Sequence, residues 1–130
     1  MAHRFSIRPR FYELDPYNHV NHTAYLQYFE AARVEALAAV GFGLDVMAQA
    51  GFQIVLVELT ARFFSPATLH EDLVIETRVT DVFRASSRWA QEIRRQDQPI
   101  ASLDVRAAFT NREGKPSRPP PGFAEAMAAI

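Results

Sequence analysis

The chain has 130 residues, 48% of them hydrophobic and 22% charged, with a formal net charge of −1. That size and balance fit one globular domain over 1–130 with a real core, and the near-neutral charge excludes a general attraction to nucleic acid or anionic membrane. The lack of cysteine excludes disulfides, thiol nucleophiles and thiolate metal sites, and it fits a reducing cytoplasm.

Residues 1–10 lack the apolar run of a signal peptide, and no stretch approaches the ~18 apolar residues of a membrane span, so a cytoplasmic chain without membrane insertion is expected. Phe5, Ile7 and Phe11 alternate with Arg4, Arg8 and Arg10 and predict a first strand, where Pro9 implies an edge or a bulge. Residues 13–22 carry Asp, Pro and Asn without apolar period and read as a loop. Tyr25, Leu26, Phe29, Ala32, Ala36, Leu37 and Val40 recur at helical spacing. The helix they predict starts near Thr23, with Asn21 or Thr23 as cap and Gly41 as its end. At 1.5 Å per residue it is roughly 27 Å long, and its alanines allow a concave sheet to approach closely.

Residues 42–51 read as a glycine-bounded linker, after which the apolar period changes to two. Strands are predicted over 54–64, 73–80, 86–96 and 101–109, with a hairpin turn at 96–99. A proline-rich tail, 115–122, precedes a short alanine-rich end. One long helix followed by a meander of strands is an α+β layout. A single helix covers one sheet face, so the other face and the edges predict self-association.

The chemistry concentrates before the helix. Asp15-Pro16-Tyr17-Asn18-His19-Val20-Asn21-His22 places one acid, two amides and two imidazoles in eight residues. The first turn of a helix offers unpaired N–H groups and partial positive charge, which can hold the oxyanion of an acyl-transfer intermediate. A nearby carboxylate can attack a carbonyl or take a proton from water. The same residues also suit plain turn chemistry: Asp before Pro bonds nearby backbone, and Asn18 tolerates positive φ. His19 and His22 with one Asp are a weak metal signal, and no metal is expected.

The run from Asp15 through Thr23-Ala24-Tyr25, continued by Tyr28-Phe29-Glu30-Ala31-Ala32-Arg33, resembles the 4-hydroxybenzoyl-CoA thioesterase family of hotdog proteins. That family reads roughly D-x-x-G-H-V-N-N-x-x-Y, then Y-F-E-x-A-R. Phe63-Phe64-Ser65-Pro66-Ala67, Asp72-Leu73-Val74-Ile75 and Lys115-Pro116 extend the similarity over almost the whole chain. The resemblance implies a hotdog fold, one long helix wrapped by an antiparallel sheet of about five strands. It also implies hydrolysis of an acyl thioester without metal or organic cofactor, in a homodimer or homotetramer.

Carried over residue by residue, Asp15 matches the catalytic aspartate, as nucleophile or general base. His22 matches the position whose backbone N–H polarises the thioester carbonyl, and His19 and Asn21 match residues that shape the loop. Asn18 and Tyr25 fall beside the substrate, and the turn around Arg84, Ser86 and Arg88 resembles the segment that meets coenzyme-A phosphates. The chain departs from the pattern at Asn18, usually Gly, and at His22, usually Asn. Asn18-His19-Val20-Asn21 is also similar to acyl-carrier-protein thioesterases, so the carrier stays open between coenzyme A and a carrier protein. Glu30 reads as the partner of Arg33 in a helix ion pair, and Glu58 as sharing a face with Ile54 and Leu56. An enoyl-thioester hydratase using His19 or His22, a non-catalytic acyl-thioester binding module and an interaction protein are the alternatives.

Overall fold

The computed structural model describes residues 2–130. Five strands, β1 (His3–Ile7), β2 (Gln53–Phe63), β3 (Leu73–Val82), β4 (Ser86–Arg95) and β5 (Gln98–Thr110), form one sheet in the order β1-β3-β4-β5-β2. Every neighbouring pair is antiparallel. The helix α1 (His22–Ala39) packs against β1 and β3. The α+β layout expected from the sequence is the observed one.

α1 buries Ala24, Tyr25, Tyr28, Phe29, Ala32, Ala36 and Leu37, while Leu26 and Val40 are only half-buried. Ala32 and Ala36 are wholly buried, and their small side chains let the backbone approach the sheet. The inner sheet face supplies Leu73 and Ile75, Trp89 and Ile93, and Leu103, Val105 and Phe109. Three polar residues, Thr77, Ser87 and Gln91, are buried with them, and Gln91 is the hub. Gln91 donates to the Phe29 carbonyl (2.9 Å) and to Thr77 Oγ1 (3.0 Å), and accepts from Arg33 Nη1 (2.9 Å). Each polar group of that amide is thus engaged, as burial requires. Arg33 therefore does not form the expected helix ion pair with Glu30: its guanidinium turns inward to Gln91, and burial lowers its pKa despite the Glu30 charge.

Several boundaries differ from expectation. β1 stops at Ile7 because Pro9 has no N–H for a ladder, and Phe11–Glu13 form a 3-10 turn instead. The expected linker contains a short helix, α2 (Leu44–Ala50), whose one buried residue is Met47. Two turns are too short to reveal a period. β5 begins before Pro99, which sits opposite Arg94 beside the bulge at Ile100, a place where a proline is tolerated. The tail ends in α3 (Phe123–Met127), and Phe123 sits edge-on to both Phe42 and Phe109, at 5.4 and 5.0 Å.

A bulge in β2 between Leu56 and Glu58 decides which side chains face α1. Ile54 and Leu56 pair with Phe109 and Ala107 on the inner face, but Glu58 pairs with Arg106 on the outer one. Leu59, Ala61 and Phe63 then return to the inner face. Glu58 thus does not share a face with Ile54 and Leu56; its carboxylate lies 4.0 Å from Arg106 and is mostly exposed.

The outer sheet face is charged, with ion pairs Arg94–Glu76 (3.1 Å) and Arg62–Asp104 (3.6 Å). Water can cover such a face. The uncovered apolar surface lies along β2, where Val55, Leu56, Val57, Leu59 and Phe63 are each 38–50% exposed. Among the described residues no helix is long and apolar enough to cross a membrane.

Candidate active site

The loop between Leu14 and Val20 is closed by a bridge between those two residues. Inside it the Asp15 N–H donates to the His19 carbonyl (2.7 Å) and the Asn18 N–H to the Asp15 carbonyl (3.0 Å). Asn18 takes φ 62°, the left-handed conformation that a glycine would adopt freely and that Asn tolerates best among other residues. The Asp15 side chain divides its oxygens. Oδ1 accepts the N–H groups of Tyr17 (2.8 Å) and His19 (3.1 Å), fixing the turn. Oδ2 bonds to no other described residue, and Asp15 lines a cleft of about 350 Å³.

The helix start forms the second part. Asn21 caps α1: its Oδ1 accepts from the Thr23 N–H (2.9 Å) and Thr23 Oγ1 (2.8 Å). Its carbonyl takes the N–H groups of Ala24 (2.9 Å) and Tyr25 (3.3 Å). Of the first amides of the helix, that of His22 alone has no acceptor among the described residues. Its position at the positive end of the helix suits an anion or a polarised carbonyl.

The opposite wall is Phe63, Phe64, Ser65 and Pro66, the end of β2 and the turn after it. The extra residue at Ile100 in β5 turns its carbonyl toward this turn, where it accepts the N–H groups of Phe64 (2.8 Å) and Ser65 (3.2 Å). Arg95 braces it further, donating to the Pro66 carbonyl (3.1 Å) and to both oxygens of Glu71 (2.9 and 2.8 Å). Burial opposes ionisation of Glu71, but bonds from Thr68 and the Arg95 charge outweigh it and hold its carboxyl below the usual range. Tyr25 ties the walls together. Its hydroxyl accepts the Ala67 N–H (3.0 Å), while the Ala67 carbonyl accepts the Val20 N–H (2.8 Å). Burial raises the Tyr25 pKa, so the phenol keeps a proton it can still donate. From below, the Tyr28 hydroxyl donates to Glu13 (2.6 Å) and anchors the start of the loop.

Asp15, His19, His22 and Tyr25 therefore line one cleft, with Asn18 and Asn21 shaping its rim. Among the described residues no group of three or more His, Asp or Glu side chains is arranged to hold a metal. Arg84, Ser86 and Arg88 are elsewhere within the chain. They occupy the far end of β4 and the turn before it, whereas the cleft lies by its other end, Arg95. Ten residues of strand put roughly 30 Å between them. Arg84 borders a separate cleft with Arg118, and Arg88 one with Glu58 and Arg106. Glu30 and Glu35 are exposed on α1 and do not line the Asp15 cleft. The bracing residues Glu71 and Arg95 had no signal in local sequence, because they are 24 residues apart and meet only in the fold.

Residues 9–127 match the thioesterase-like superfamily, and the chain belongs to it. A chloroplastic acyl-acyl carrier protein thioesterase of Arabidopsis thaliana is 28% identical over 120 residues, covering 91% of this chain and 63% of the relative. The chain thus spans a little under two thirds of the length of that relative. A probable thioesterase from Bartonella henselae is 29% identical, with a TM-score of 0.88 over 92% of this chain and 100% of that one. The DHNA-CoA thioesterase of Staphylococcus aureus, 21% identical, superposes with a TM-score of 0.90 over 98% and 89% of the two chains. The helix-wrapping sheet is the hotdog fold of these proteins.

Proposed function

We propose that the protein hydrolyses an acyl thioester, carried by coenzyme A or a carrier protein, at the Asp15 cleft. One observation carries this reading: a carboxylate oxygen and a helix-terminal N–H, both without partners among the described residues, belong to the same cleft. The thioester carbonyl oxygen points at the His22 N–H, where negative charge develops in the transition state. Asp15 Oδ2 takes a proton from water as the water oxygen bonds to the carbonyl carbon. Collapse of the tetrahedral intermediate breaks the C–S bond, and the thiolate recovers the proton from Asp15. In the nucleophilic variant Oδ2 itself bonds the carbon, the C–S bond breaks and the thiolate leaves, taking a proton from solvent, and water then cleaves the mixed anhydride to the acid and a free Asp15 carboxylate. The Tyr25 phenol, with its proton free, helps orient the acyl group.

A homodimer built on β2 fits the open side of this cleft. If two β2 edges pair antiparallel about Glu58, the partner's Gln53 falls beside Phe63. Gln53 is level with Thr110 of β5, next to the start of β4. Three strand spacings then separate Phe63 from the partner's Ser86, roughly 14 Å. The turn that is remote within one chain becomes the neighbour of the cleft across a two-fold axis.

The test is Asp15→Asn, which keeps the Oδ1 acceptor of the turn but removes charge and basicity. Its kcat should fall by about 10²–10⁴, the loss typical of a general base, with KM little changed and the oligomer intact. Near wild-type thiol release would show that another group carries the reaction. Label from ¹⁸O-water appearing in Asp15 after turnover would identify the nucleophilic variant.

A further inference from the structure

α1 lies over β1 and β3, while β2, at the opposite edge of the sheet, is left largely open. Between α1 and β2 runs a groove. At its Asp15 end the Tyr25 and Phe63 rings are 5.5 Å apart, and Leu59 and Phe63 stay partly exposed along it. At the other end it deepens into a cavity of about 140 Å³, bounded by Glu30, Arg33 and Leu37 of α1, Leu44 of α2, Leu56 of β2 and Trp89 of β4. An apolar cavity of about that size takes a single benzene ring, the bulk of about six carbon atoms. The Trp89 N–H is already given to Ser87 Oγ (2.9 Å), so the indole offers the cavity an apolar face.

Arg33 is out of place in such a cavity. Its Nη1 donates to Gln91 (2.9 Å), but its other N–H groups have no acceptor among the described residues. Nor does any carboxylate of those residues come within ion-pair distance of it. A half-buried guanidinium without a counter-charge is costly to keep. Glu30 stands one turn away on the same wall and is likewise in no ion pair. The cavity therefore ends in a cationic donor beside an anionic acceptor. A methyl end would leave both unmet. A carboxylate would suit Arg33 and be repelled by Glu30. A hydroxyl satisfies both, because its oxygen accepts from Arg33 and its proton goes to Glu30.

We infer that this cavity holds the far end of a long acyl chain and selects chains ending in a hydroxyl group, with Arg33 and Glu30 as the specificity-determining residues. The inference deepens the thioesterase reading and rests on it for the reacting end of the substrate. Val34 lies twelve residues after His22 on α1, roughly 18 Å at the helical rise. An extended chain advances about 1.2 Å per bond, since a residue of three bonds spans about 3.5 Å. A carbonyl oxygen at the His22 N–H and a terminal oxygen at Arg33 are thus roughly fifteen bonds apart, which fits an acyl group of about fourteen carbons.

Matched coenzyme-A thioesters supply the test: tetradecanoyl, ω-hydroxytetradecanoyl and tetradecanedioyl, with decanoyl and ω-hydroxydecanoyl as chains too short to reach the cavity. In wild type, kcat/KM should favour the hydroxyl end over the methyl end at least about tenfold in the tetradecanoyl pair, one charge-assisted hydrogen bond being worth that or more. The decanoyl pair should show little difference, and the dioate should fall behind the hydroxyl. Arg33→Met, which keeps the length of the side chain, should erase the hydroxyl preference. Glu30→Gln keeps an acceptor and removes the repulsion, so it should keep the preference and raise the dioate about tenfold. Glu30 is exposed, so this variant decides the matter even where Arg33→Met does not fold. Calorimetry with free tetradecanoate and ω-hydroxytetradecanoate repeats the comparison without turnover. No hydroxyl preference in wild type, the same preference in the decanoyl pair, or one that survives Arg33→Met overturns the inference. So does a wild type that prefers the dioate, or a dioate rate unmoved in Glu30→Gln. If the free acids show the preference but no thioester is cleaved, the proposed activity fails while the selectivity of the cavity stands.

Discussion

Asp15 divides its two oxygens between a turn and an open cleft. Oδ1 belongs to the turn, so the plain structural reading of an Asp before a Pro holds for half of the side chain. Asn18 completes that turn at φ 62°. Asn18→Gly should retain activity, and Asn18→Val should lose most of it, because a β-branched residue at positive φ is strongly disfavoured. Steady-state kinetics decide this, and full activity in the Val variant would show that the turn can reshape. Glu71 contributes differently. Its folded-state pKa lies below the ordinary value, so its contribution to stability is fully present above about pH 4.3 and is lost as pH falls through the folded value. Glu71→Gln should cost about 1–2 kcal/mol at neutral pH. That gap should close in urea melts toward pH 3, whereas a gap independent of pH would mean that the charge does not matter. The loop residues Asp15, His19, His22 and Tyr25 were legible in the sequence because they are contiguous and open a helix. Phe63 to Pro66, Glu71 and Arg95 were not, since their contacts cross the sheet and leave no local period.

At the scale of elements, period-two alternation located every long strand to within three residues but missed what happens inside them. The bulges at Val57, Thr80 and Ile100 each change which face the following residues take. Alternation read straight through β2 put Glu58 inside, while the ladder puts it outside. α2 escaped notice for a different reason: seven residues with one buried side chain contain too little pattern to register. The tail helix α3 is short as well, yet Phe123 makes it structural. Phe123→Ala removes two edge-on aromatic contacts and opens a void, and should cost about 3 kcal/mol or more. Urea denaturation measures it, and an unchanged midpoint would mean that the tail is dispensable to the fold.

For the whole molecule, the distribution of apolar surface matters more than its amount. The outer sheet face is wetted by ion pairs, while β2 leaves an apolar edge open beside the cleft. A long exposed edge strand is a template for pairing, and a two-fold axis is the simplest closed solution. We expect a dimer or larger assembly at micromolar concentration. The double variant Val55→Lys, Val57→Lys should shift it toward monomer and lower activity together. Sedimentation velocity settles the matter: a wild type that is wholly monomeric in dilute solution removes the two-fold arrangement.

The extra residue at Val57 works like a comma in the strand. Before it, even-numbered side chains look toward the helix; after it, odd-numbered ones do. Deleting Val57 would only make the ladder regular, but drawing Val57 into the ladder in place of the bulge would reverse the parity of half of β2. Leu59, Ala61 and Phe63 would turn to water, and Glu58, Thr60 and Arg62 would face the core. Phe63 would leave the wall of the Asp15 cleft in the same stroke. Strand length in this protein is therefore counted, not merely sufficient, and tolerance to insertion or deletion should be lowest where the chain looks most ordinary.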